Sequence, residues 1–398
     1  MRISTSQIYS QSLLQMNAAL SDIAELNSMT SSQKKLNRPS DDPTGMGKVI
    51  ELRAYNSALS GYSDNCTVCG EHLSLADEAL SQASEQITAA KEVAEQGSTE
   101  TYTAVQLQAM AIEMEGYLDS LMTIANTKFS AQDYVFGGDD SGEAPYEKGL
   151  GVTLPNDSLT RADFVSLTGE LDSSIAVRFD SDGAVGTDEL TYSYSTDYGE
   201  TWTTATLAAG DTTLDLGAAQ AELASGAAVT AADDDGNGTQ FHLREAVVYT
   251  GSENAMSVAI SESTDVDMNS VGGEIFGGVD GSTGLAYDGD NLFETISDCI
   301  VYLENGDYDG VADCLAKLGD AHENVETAAA DIGARENKTT YIGSAISVVK
   351  SVTANNISGI EDADSAQLVV ELEQANYVYE AVLSSSSDII KMSLLNYI

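Results

Sequence analysis

The stretch KKLNRPSDDPTG, residues 34–45, separates two long segments whose apolar residues recur at helical spacing. Its two prolines disfavour a helical conformation at the preceding residues and remove backbone donors. Ser40 and the two aspartates are good N-cap residues, and their charge suits the start of the next helix. The stretch therefore predicts a joint between two helices, formed by Asn37, Arg38, Pro39, Asp41, Asp42 and Pro43.

The adjacent carboxylates of Asp41 and Asp42 also suggest an acid–base site. General acid–base catalysis needs carboxylates that face one substrate, usually in a cleft that shifts one pKa. Adjacent side chains rarely face one point, and this run is strongly polar. A structural joint is the favoured interpretation, and no catalytic residue is predicted.

Apolar stripes with a 3.5-residue repeat occur near both ends of the chain. This repeat is typical of a coiled-coil seam, although an ordinary core face has a similar pattern. Two stripes of equal period predict that the terminal helices pack on one another and form an assembly interface. The predicted interface residues are Tyr9, Leu13, Met16, Leu20, Ile23, Leu368, Leu372, Ala375, Tyr379, Val382 and Ile389.

Helical patterns also cover residues 46–96, 103–132, 291–304 and 310–355, whereas residues 139–290 have a different composition. This middle segment is rich in Gly, Thr, Ser and Asp, contains alternating strand-like runs, and has 29 acidic residues against four basic ones. We predict a terminal coiled-coil domain (1–38 with 356–398), a helical bundle (39–138 with 291–355) and an acidic β-rich insertion (139–290).

The formal net charge of −47 argues against a nucleic-acid partner, because a phosphate backbone would be repelled. No apolar run approaches the ~18–20 residues that a membrane span needs. The N-terminal segment has no continuous apolar core and is not typical of a cleaved signal peptide. If the protein leaves the cell, we expect export by a route without a cleaved signal.

The four cysteines, Cys66, Cys69, Cys299 and Cys314, leave three interpretations open. The CxxC spacing of the first two is compatible with half a zinc site, with a disulfide, or with small buried side chains on one helical face. Zinc is the weakest interpretation because no second CxxC occurs. Burial is the favoured one, and no cofactor or metal is predicted.

The run STDYGETW, residues 195–202, resembles the Asp-box of sialidases and other β proteins. The matching residues are Ser195, Asp197, Gly199, Thr201 and Trp202. In those families the motif is a β-hairpin away from the catalytic site. A single copy with few nearby arginines predicts a hairpin, although a secreted glycan-binding or glycan-active protein is the alternative.

The run DDDGNG, residues 233–238, is a weak calcium-loop candidate through Asp233, Asp235 and Asn237. Arg244 stands where such a loop requires Glu, and the flanks resemble strands. A solvated acidic turn is the favoured interpretation.

Several motifs resemble the flagellin superfamily. They are the joint at 37–43 and the segments YVFGGDDSGEAPY (134–146), IGARENK (332–338), GIEDADSAQLVVEL (359–372) and SLLNYI (393–398). The resemblance covers about residues 1–146 and 291–398. The proline-bearing joint is more similar to that of the family members that connect hook to filament than to that of filament flagellin. The cysteines depart from the usual pattern.

The resemblance implies a mainly α fold with an inserted β domain: paired terminal coiled-coil helices, a helical bundle and an outward β-rich insertion. It implies an extracellular structural protein of the bacterial flagellum, an adaptor at the hook–filament junction, or alternatively filament flagellin itself. The implied partners are other copies of the chain, the preceding hook-associated protein, filament flagellin, an export chaperone and the type III export apparatus. Terminal helices of this family order on assembly, which makes assembly conditional on a template. We also hypothesise that Lys34, Lys35 and Arg38 contact acidic neighbours in the assembled lattice.

Overall fold

A computed structural model describes residues 5–395 except 132, 140–141, 157, 172, 234–236, 282–285 and 288–290. The chain divides into two compact units. The terminal unit comprises Met1–Asp64 and Gly343–Ile398, and the central unit comprises Asn65–Ile342. Within the described part of the chain, no helix is long and apolar enough to cross a membrane.

Seven α-helices and one short 3₁₀ helix are described. The α-helices are α1 (Thr5–Ser32), α2 (Pro43–Gly97), α3 (Ala104–Ala125), α4 (Gly272–Phe276), α5 (Leu292–Asn305), α6 (Tyr308–Glu361) and α7 (Ser365–Leu395); the 3₁₀ helix is Arg161–Asp163.

All described strands lie in the central unit, between residues 128 and 280. They are β1 (Lys128–Ser130), β2 (Asp133–Tyr134), β3 (Tyr146–Thr153), β4 (Phe164–Gly169), β5 (Ile175–Phe179), β6 (Gly183–Ala184), β7 (Leu190–Ser195), β8 (Thr203–Leu207), β9 (Thr213–Asp215), β10 (Ala219–Leu223), β11 (Ala228–Val229), β12 (Gln240–Tyr249), β13 (Ser257–Ser261), β14 (Thr264–Asp267) and β15 (Val279–Asp280). Long helices thus flank a β-rich middle, and the predicted fold class is confirmed.

The long strand β12 organises the main sheet, whose order is β15-β12-β5-β7-β8 with β3 also paired to β12. Strand β3 runs antiparallel to it from the His242–Thr153 pair to the Tyr249–Tyr146 pair. Alternate β12 residues such as Phe241 and Leu243 are fully buried, as the period of a half-buried strand requires. Further sheets, β4-β10-β9 and β11-β6, contribute to the same apolar core.

Helix α3 is shorter than the helical pattern over residues 103–132 predicts, because it ends at Ala125. The next residue, Asn126, uses its side-chain amide on the backbone of Tyr146. Asn126 Nδ2 donates to the Tyr146 carbonyl at 2.9 Å, and the Tyr146 amide donates to Asn126 Oδ1 at 3.0 Å. This tertiary pairing replaces another helical turn, and the chain enters β1 instead.

A buried ionic cluster joins β12 to α5 within the central unit. The guanidinium of Arg244, only 3% exposed, lies 3.2 Å from Glu294 and 2.7 Å from Asp298. Arg244 Nε donates to the hydroxyl of Thr153 at 2.8 Å, and Thr153 donates to Asp298 at 2.6 Å. Arg161 also pairs with Glu294. Two of the four basic residues of the acidic middle segment therefore neutralise buried carboxylates.

Lowering the pH is expected to destabilise the central unit through His242 on β12. Burial lowers the pKa of His242 to about 4, despite the opposing charge of Asp298. As the pH falls below about 6.5, the unfolded chain binds a proton that the folded chain does not bind until about pH 4. Stability is therefore lost across that window, by about 2–3 kcal/mol at pH 4.5.

Urea unfolding of the full chain at pH 7 and pH 4.5 measures this loss. The variant His242→Gln is the matched comparison, because it removes the titrating ring and leaves the rest of the chain unchanged. His72, whose pKa is also lowered by burial, contributes equally to both chains. Identical pH dependence in wild type and variant would contradict the assignment to His242.

Candidate assembly site

The terminal unit contains a pair of helices, α1 and α7, which pack against each other as the two terminal stripes predict. The inward side of α7 is the predicted stripe. Leu368 is 6% exposed, and the other stripe residues with described side chains are half-buried, namely Leu372, Ala375, Tyr379 and Val382. The side chain of Ile389 lies outside the described part of the structure.

The predicted stripe on α1 divides between two environments. Met16 and Ile23 are half-buried, whereas Tyr9, Leu13 and Leu20 are 47%, 37% and 42% exposed. Among the described side chains of this helix, the buried ones are instead Ser12 and Ala19. Small residues at the contact let two helix backbones approach closely, so the larger neighbours are left outside. The 3.5-residue pattern alone could not separate these faces.

Further apolar side chains on the pair are exposed and were not among the predicted interface residues. Leu14 is 69% exposed, Val370 is 63% exposed and Tyr377 is 74% exposed. Val370 and Tyr377 stand seven residues apart and therefore share a face of α7. Isolated exposed apolar residues are ordinary, but several on one helix pair are typical of an interaction surface. In the sequence, these residues could have been found as a second apolar face beside the main stripe.

A groove of about 420 Å³ runs between α1 and α7. Its lining is partly apolar and partly acidic; the lining residues are Ala19, Asp22, Glu25, Leu26, Met29, Glu371, Gln374, Ala375 and Val378. A helix pair with an open, partly apolar groove retains surface that a further helix can cover.

The joint between α1 and α2 is organised by the carboxylate of Asp41. Asp41 Oδ2 accepts the backbone N–H groups of Asn37 at 3.1 Å and Arg38 at 2.8 Å. The hydrogen bond from Arg38 is the main cause that lowers the pKa of Asp41. The carboxylate thus satisfies two donors of a turn, and the geometry is that of a structural joint.

Helix α2 begins immediately after the joint. Asp42 Oδ1 accepts the amide of Thr44 at 3.0 Å, and the Asp42 carbonyl accepts the amide of Met46 at 2.9 Å. Pro43 is the first residue of α2, where a fixed φ is favourable and a missing donor has no cost. The two aspartates therefore serve successive backbone turns and do not converge on one point.

A second connection, between α6 and α7, is tied to this joint inside the terminal unit. The side chain of Glu361 is 6% exposed; it pairs with Lys34 and, at 2.6 Å, with Arg53 on α2. The Glu361 carbonyl accepts the amide of Lys35 at 2.8 Å, and the amide of Ala363 donates to the Gln33 carbonyl at 3.0 Å. The two connections between helices are therefore one hydrogen-bonded structure.

This connection changes the hypothesis about the basic residues of the joint. Lys34 pairs with Glu361 of the same chain, and Lys35 Nζ donates to the carbonyl of Gly359 at 3.1 Å. Charge reversal at these lysines would therefore disturb the terminal unit itself. Burial raises the pKa of Glu361, but the hydrogen bonds and charges of Lys34 and Arg53 lower it overall.

Replacement of Glu361 by Gln is expected to loosen both connections. The change keeps the side-chain size but removes the charge that pairs with Lys34 and Arg53. Because those partners are 41% and 51% exposed, the expected loss is about 1 kcal/mol, or about fivefold faster hydrogen exchange over residues 33–46 and 355–365. Glu373→Gln, an exposed change on α7, is the control. Equal protection in both variants would show that the ion pairs do not hold the connections.

The Asp-box residues form the turn between β7 and β8. Asp197 accepts the Thr201 amide at 2.8 Å and the Thr201 hydroxyl at 2.5 Å, and these bonds lower its pKa. The amide of Gly199, at a φ of 87°, donates to the Ser195 hydroxyl at 2.9 Å. The indole of Trp202 donates to the Gly199 carbonyl at 3.1 Å and lies 4.3 Å from the Arg178 guanidinium. The carboxylate is thus engaged inside its own turn.

The calcium candidate falls partly outside the described residues, because Asp235 is not described. Asn237 donates its backbone amide and its side-chain amide to the carboxylate of Asp233 at 2.9 Å and 3.0–3.2 Å. Within the described residues no three His, Cys, Asp or Glu side chains are gathered where they could hold a metal ion.

All four cysteines are buried free thiols. Cys66 donates to the carbonyl of Ile260, and Cys69 contacts the hydroxyl of Thr339. The two sulfurs of the CxxC motif therefore have different neighbours. Burial is the main cause that raises the pKa of both thiols, which makes reactive thiolate scarce.

Comparison with known proteins agrees with this architecture. Residues 3–139 match the bacterial flagellin N-terminal helical region, and residues 315–398 match the bacterial flagellin C-terminal helical region. The two matches together cover more than half of the chain. A solved structure described as a flagellar hook-associated protein from Vibrio parahaemolyticus has the same fold, with a TM-score of 0.50 at 16% identity over 81% of this chain and 100% of that one. The chain belongs to the flagellin superfamily.

The curated relatives it matches are two proteins named flagellar hook-associated protein 3. The one from Salmonella typhimurium is 27% identical over 151 residues, 38% of this chain and 48% of that protein. The one from Escherichia coli K12 is 26% identical over 151 residues, with the same shares. The chain thus spans about half the length of the curated relatives it matches.

Proposed function

We propose that this chain is an extracellular structural protein of the bacterial flagellum, located at the hook–filament junction. There it is the adaptor on which filament flagellin assembles, and it has no enzymatic activity. The observation that carries the proposal is the terminal helix pair, whose exposed apolar residues need a covering partner. The similarity to two hook-associated proteins 3 supports the junction over other places in the flagellum.

Assembly follows from the helix pair α1 and α7. Leu14, Val370 and Tyr377 are mostly exposed, and burial of such a side chain stabilises a contact by about 1.5–3 kcal/mol. Such contacts from each subunit offset part of the entropy cost of association and favour a lattice over free chains. We propose three domains with the boundaries given above, in which residues 1–38 and 356–398 form the part that orders on assembly.

The partners follow from this position. Other copies of the chain complete a ring, the preceding hook-associated protein supplies the template, and filament flagellin adds next. An export chaperone and the type III export apparatus deliver the chain. The net charge of −47 supports the exclusion of nucleic acid as a partner.

The linked connections at Asp41 and Glu361 hold the terminal helix pair to the first part of α2. An adaptor must present its neighbours at a fixed angle, so a hydrogen-bonded joint suits this role better than a flexible linker. The Asp-box turn supports a structural role for the middle segment, because its carboxylate is engaged within the hairpin.

The position along the flagellum tests the proposal. An epitope inserted beside Gly210, an exposed turn with open space around it, can be located by immunogold electron microscopy. We expect label only at the base of each filament. Filament flagellin tagged in the same way is the control and should label the full length. Label of this chain along the whole filament would identify it as the filament subunit and overturn the proposal.

A further inference from the structure

Two buried cysteines of the central unit face each other across the turn between α5 and α6. Helix α5 ends at Asn305, the capping residue Gly306 reverses the chain with a φ of 68°, and α6 begins at Tyr308. The amide of Asp307 donates to the Tyr302 carbonyl at 2.9 Å, so the two helices form a tight hairpin.

The register of this hairpin is visible in two contacts. Gly310 lies against the ring of Tyr302, and Leu303 and Val311 lie together against Gly97. Residues 302 and 303 of α5 therefore lie beside residues 310 and 311 of α6. Cys299 lies one helical turn before Leu303 on α5, and Cys314 lies one helical turn after Val311 on α6. Both cysteines therefore share the faces on which the two helices meet.

Both sulfurs point into the core, because each cysteine has an exposed fraction of 0%. A hydrogen bond with Cys299 is the main cause that raises the pKa of Cys314, with burial second. Together with the hairpin register and the complete burial of both residues, this interaction indicates that the two thiols are neighbours. By contrast, Cys66 and Cys69 are directed at separate neighbours, Ile260 and Thr339.

We propose that Cys299 and Cys314 are a covalent cross-linking site and form a disulfide in an oxidising medium, whereas the CxxC motif remains reduced. Each thiol loses its proton, one S–S bond forms, and two electrons pass to a small-molecule disulfide whose own S–S bond breaks to give two thiols. The inference is independent of the proposed function. The bond closes a loop of about 15 residues, which restricts the unfolded chain and stabilises the hairpin.

The raised pKa of Cys314 and the burial of both cysteines also determine when the disulfide forms. In the folded chain thiolate is scarce and the sulfurs are covered, so oxidation is slow. During folding the thiols are accessible, and formation of the α5–α6 hairpin brings Cys299 and Cys314 together at a low loop-closure cost.

Refolding of the full chain tests the proposal. The chain is unfolded in urea with reductant and refolded with reduced and oxidised glutathione. Free thiols are then alkylated, and peptides are mapped by mass spectrometry without reduction. We expect a Cys299–Cys314 link, alkylated Cys66 and Cys69, and an unfolding midpoint about 5 °C above that of the reduced chain.

Two variants complete the design. Cys299→Ala should lose both the link and the midpoint difference between oxidised and reduced samples, whereas Cys66→Ala should keep both. If Cys299→Ala does not fold, the comparison of oxidised with reduced wild type still decides the question. Four alkylated thiols, or a link between Cys66 and Cys69, would overturn the proposal.

Discussion

Deletion of residues 366–398 is expected to abolish incorporation of the chain into flagella while the central unit stays folded. The deletion removes nearly all of α7 and with it the inward stripe that begins at Leu368. Helix α1 then has no partner for Met16 and Ile23. Most of the stability of a protein helix comes from packing of its apolar face, so both the helix pair and the surface it presents are expected to be lost.

The phenotype should be absent or short filaments and flagellin released to the medium, since the next subunits have no template. Electron microscopy and immunoblots of the culture medium measure these outcomes, and circular dichroism of the purified variant shows whether the central unit remains folded. Normal filaments would refute the assembly role of α7.

Two further variants distinguish loss of the α1–α7 contact from loss of the α7 segment as a whole. Leu372→Ala with Val382→Ala removes apolar side chains on the face towards α1, and we expect fewer and shorter filaments. Glu380→Ala, an exposed position on the same helix, should assemble normally. If the two behave alike, the inward stripe does not carry the effect.

Replacement of Arg244 by Ala is expected to destabilise the central unit by about 3–5 kcal/mol. The change removes the closest cation of Asp298 and leaves Glu294 with Arg161 alone, in a site where both carboxylates are largely buried. The loss comes mostly from this uncompensated charge and only partly from the lost contacts of the arginine. Urea unfolding followed by circular dichroism measures it directly.

Lys148→Ala is the matched control for that measurement. Lys148 also pairs with two carboxylates, Asp119 at 3.0 Å and Glu245 at 3.4 Å, but it is 49% exposed. Solvent screens such pairs, so the expected cost is at most about 1 kcal/mol. Similar losses of unfolding free energy for the two variants would show that burial does not make the Arg244 ion pairs more important than exposed ones.

Several features were accessible from the sequence because their causes are local. Pro43 after Asp42 determines where α2 begins, and the spacing of Leu368 and Leu372 determines which face of α7 turns inward. Backbone geometry and helical period act over a few residues, so a pattern in the chain reports them. The shift in composition at residues 139–290 likewise predicted the β-rich segment, which cannot follow a helical period.

Other features depend on partners that are distant in the chain. The sequence around Lys34 does not indicate that Glu361 is its ion-pair partner, and the sequence around Arg244 does not indicate Asp298. The end of α3 was predicted too late because Tyr146, twenty residues on, binds Asn126. A motif can also mislead: the CxxC spacing indicates Cys66 and Cys69, whereas the hairpin register brings together Cys299 and Cys314.

The sequence by itself determined the order of the long helices, the β-rich segment between them, the family and the position of the joint, because period, capping and turn chemistry are short-range. Only the tertiary structure decided which faces of α1 are covered, which ion pairs hold the connections and which thiols meet. Those outcomes depend on which side chains, distant in the sequence, are buried against each other. Tertiary packing decides this, and a local sequence pattern does not report it.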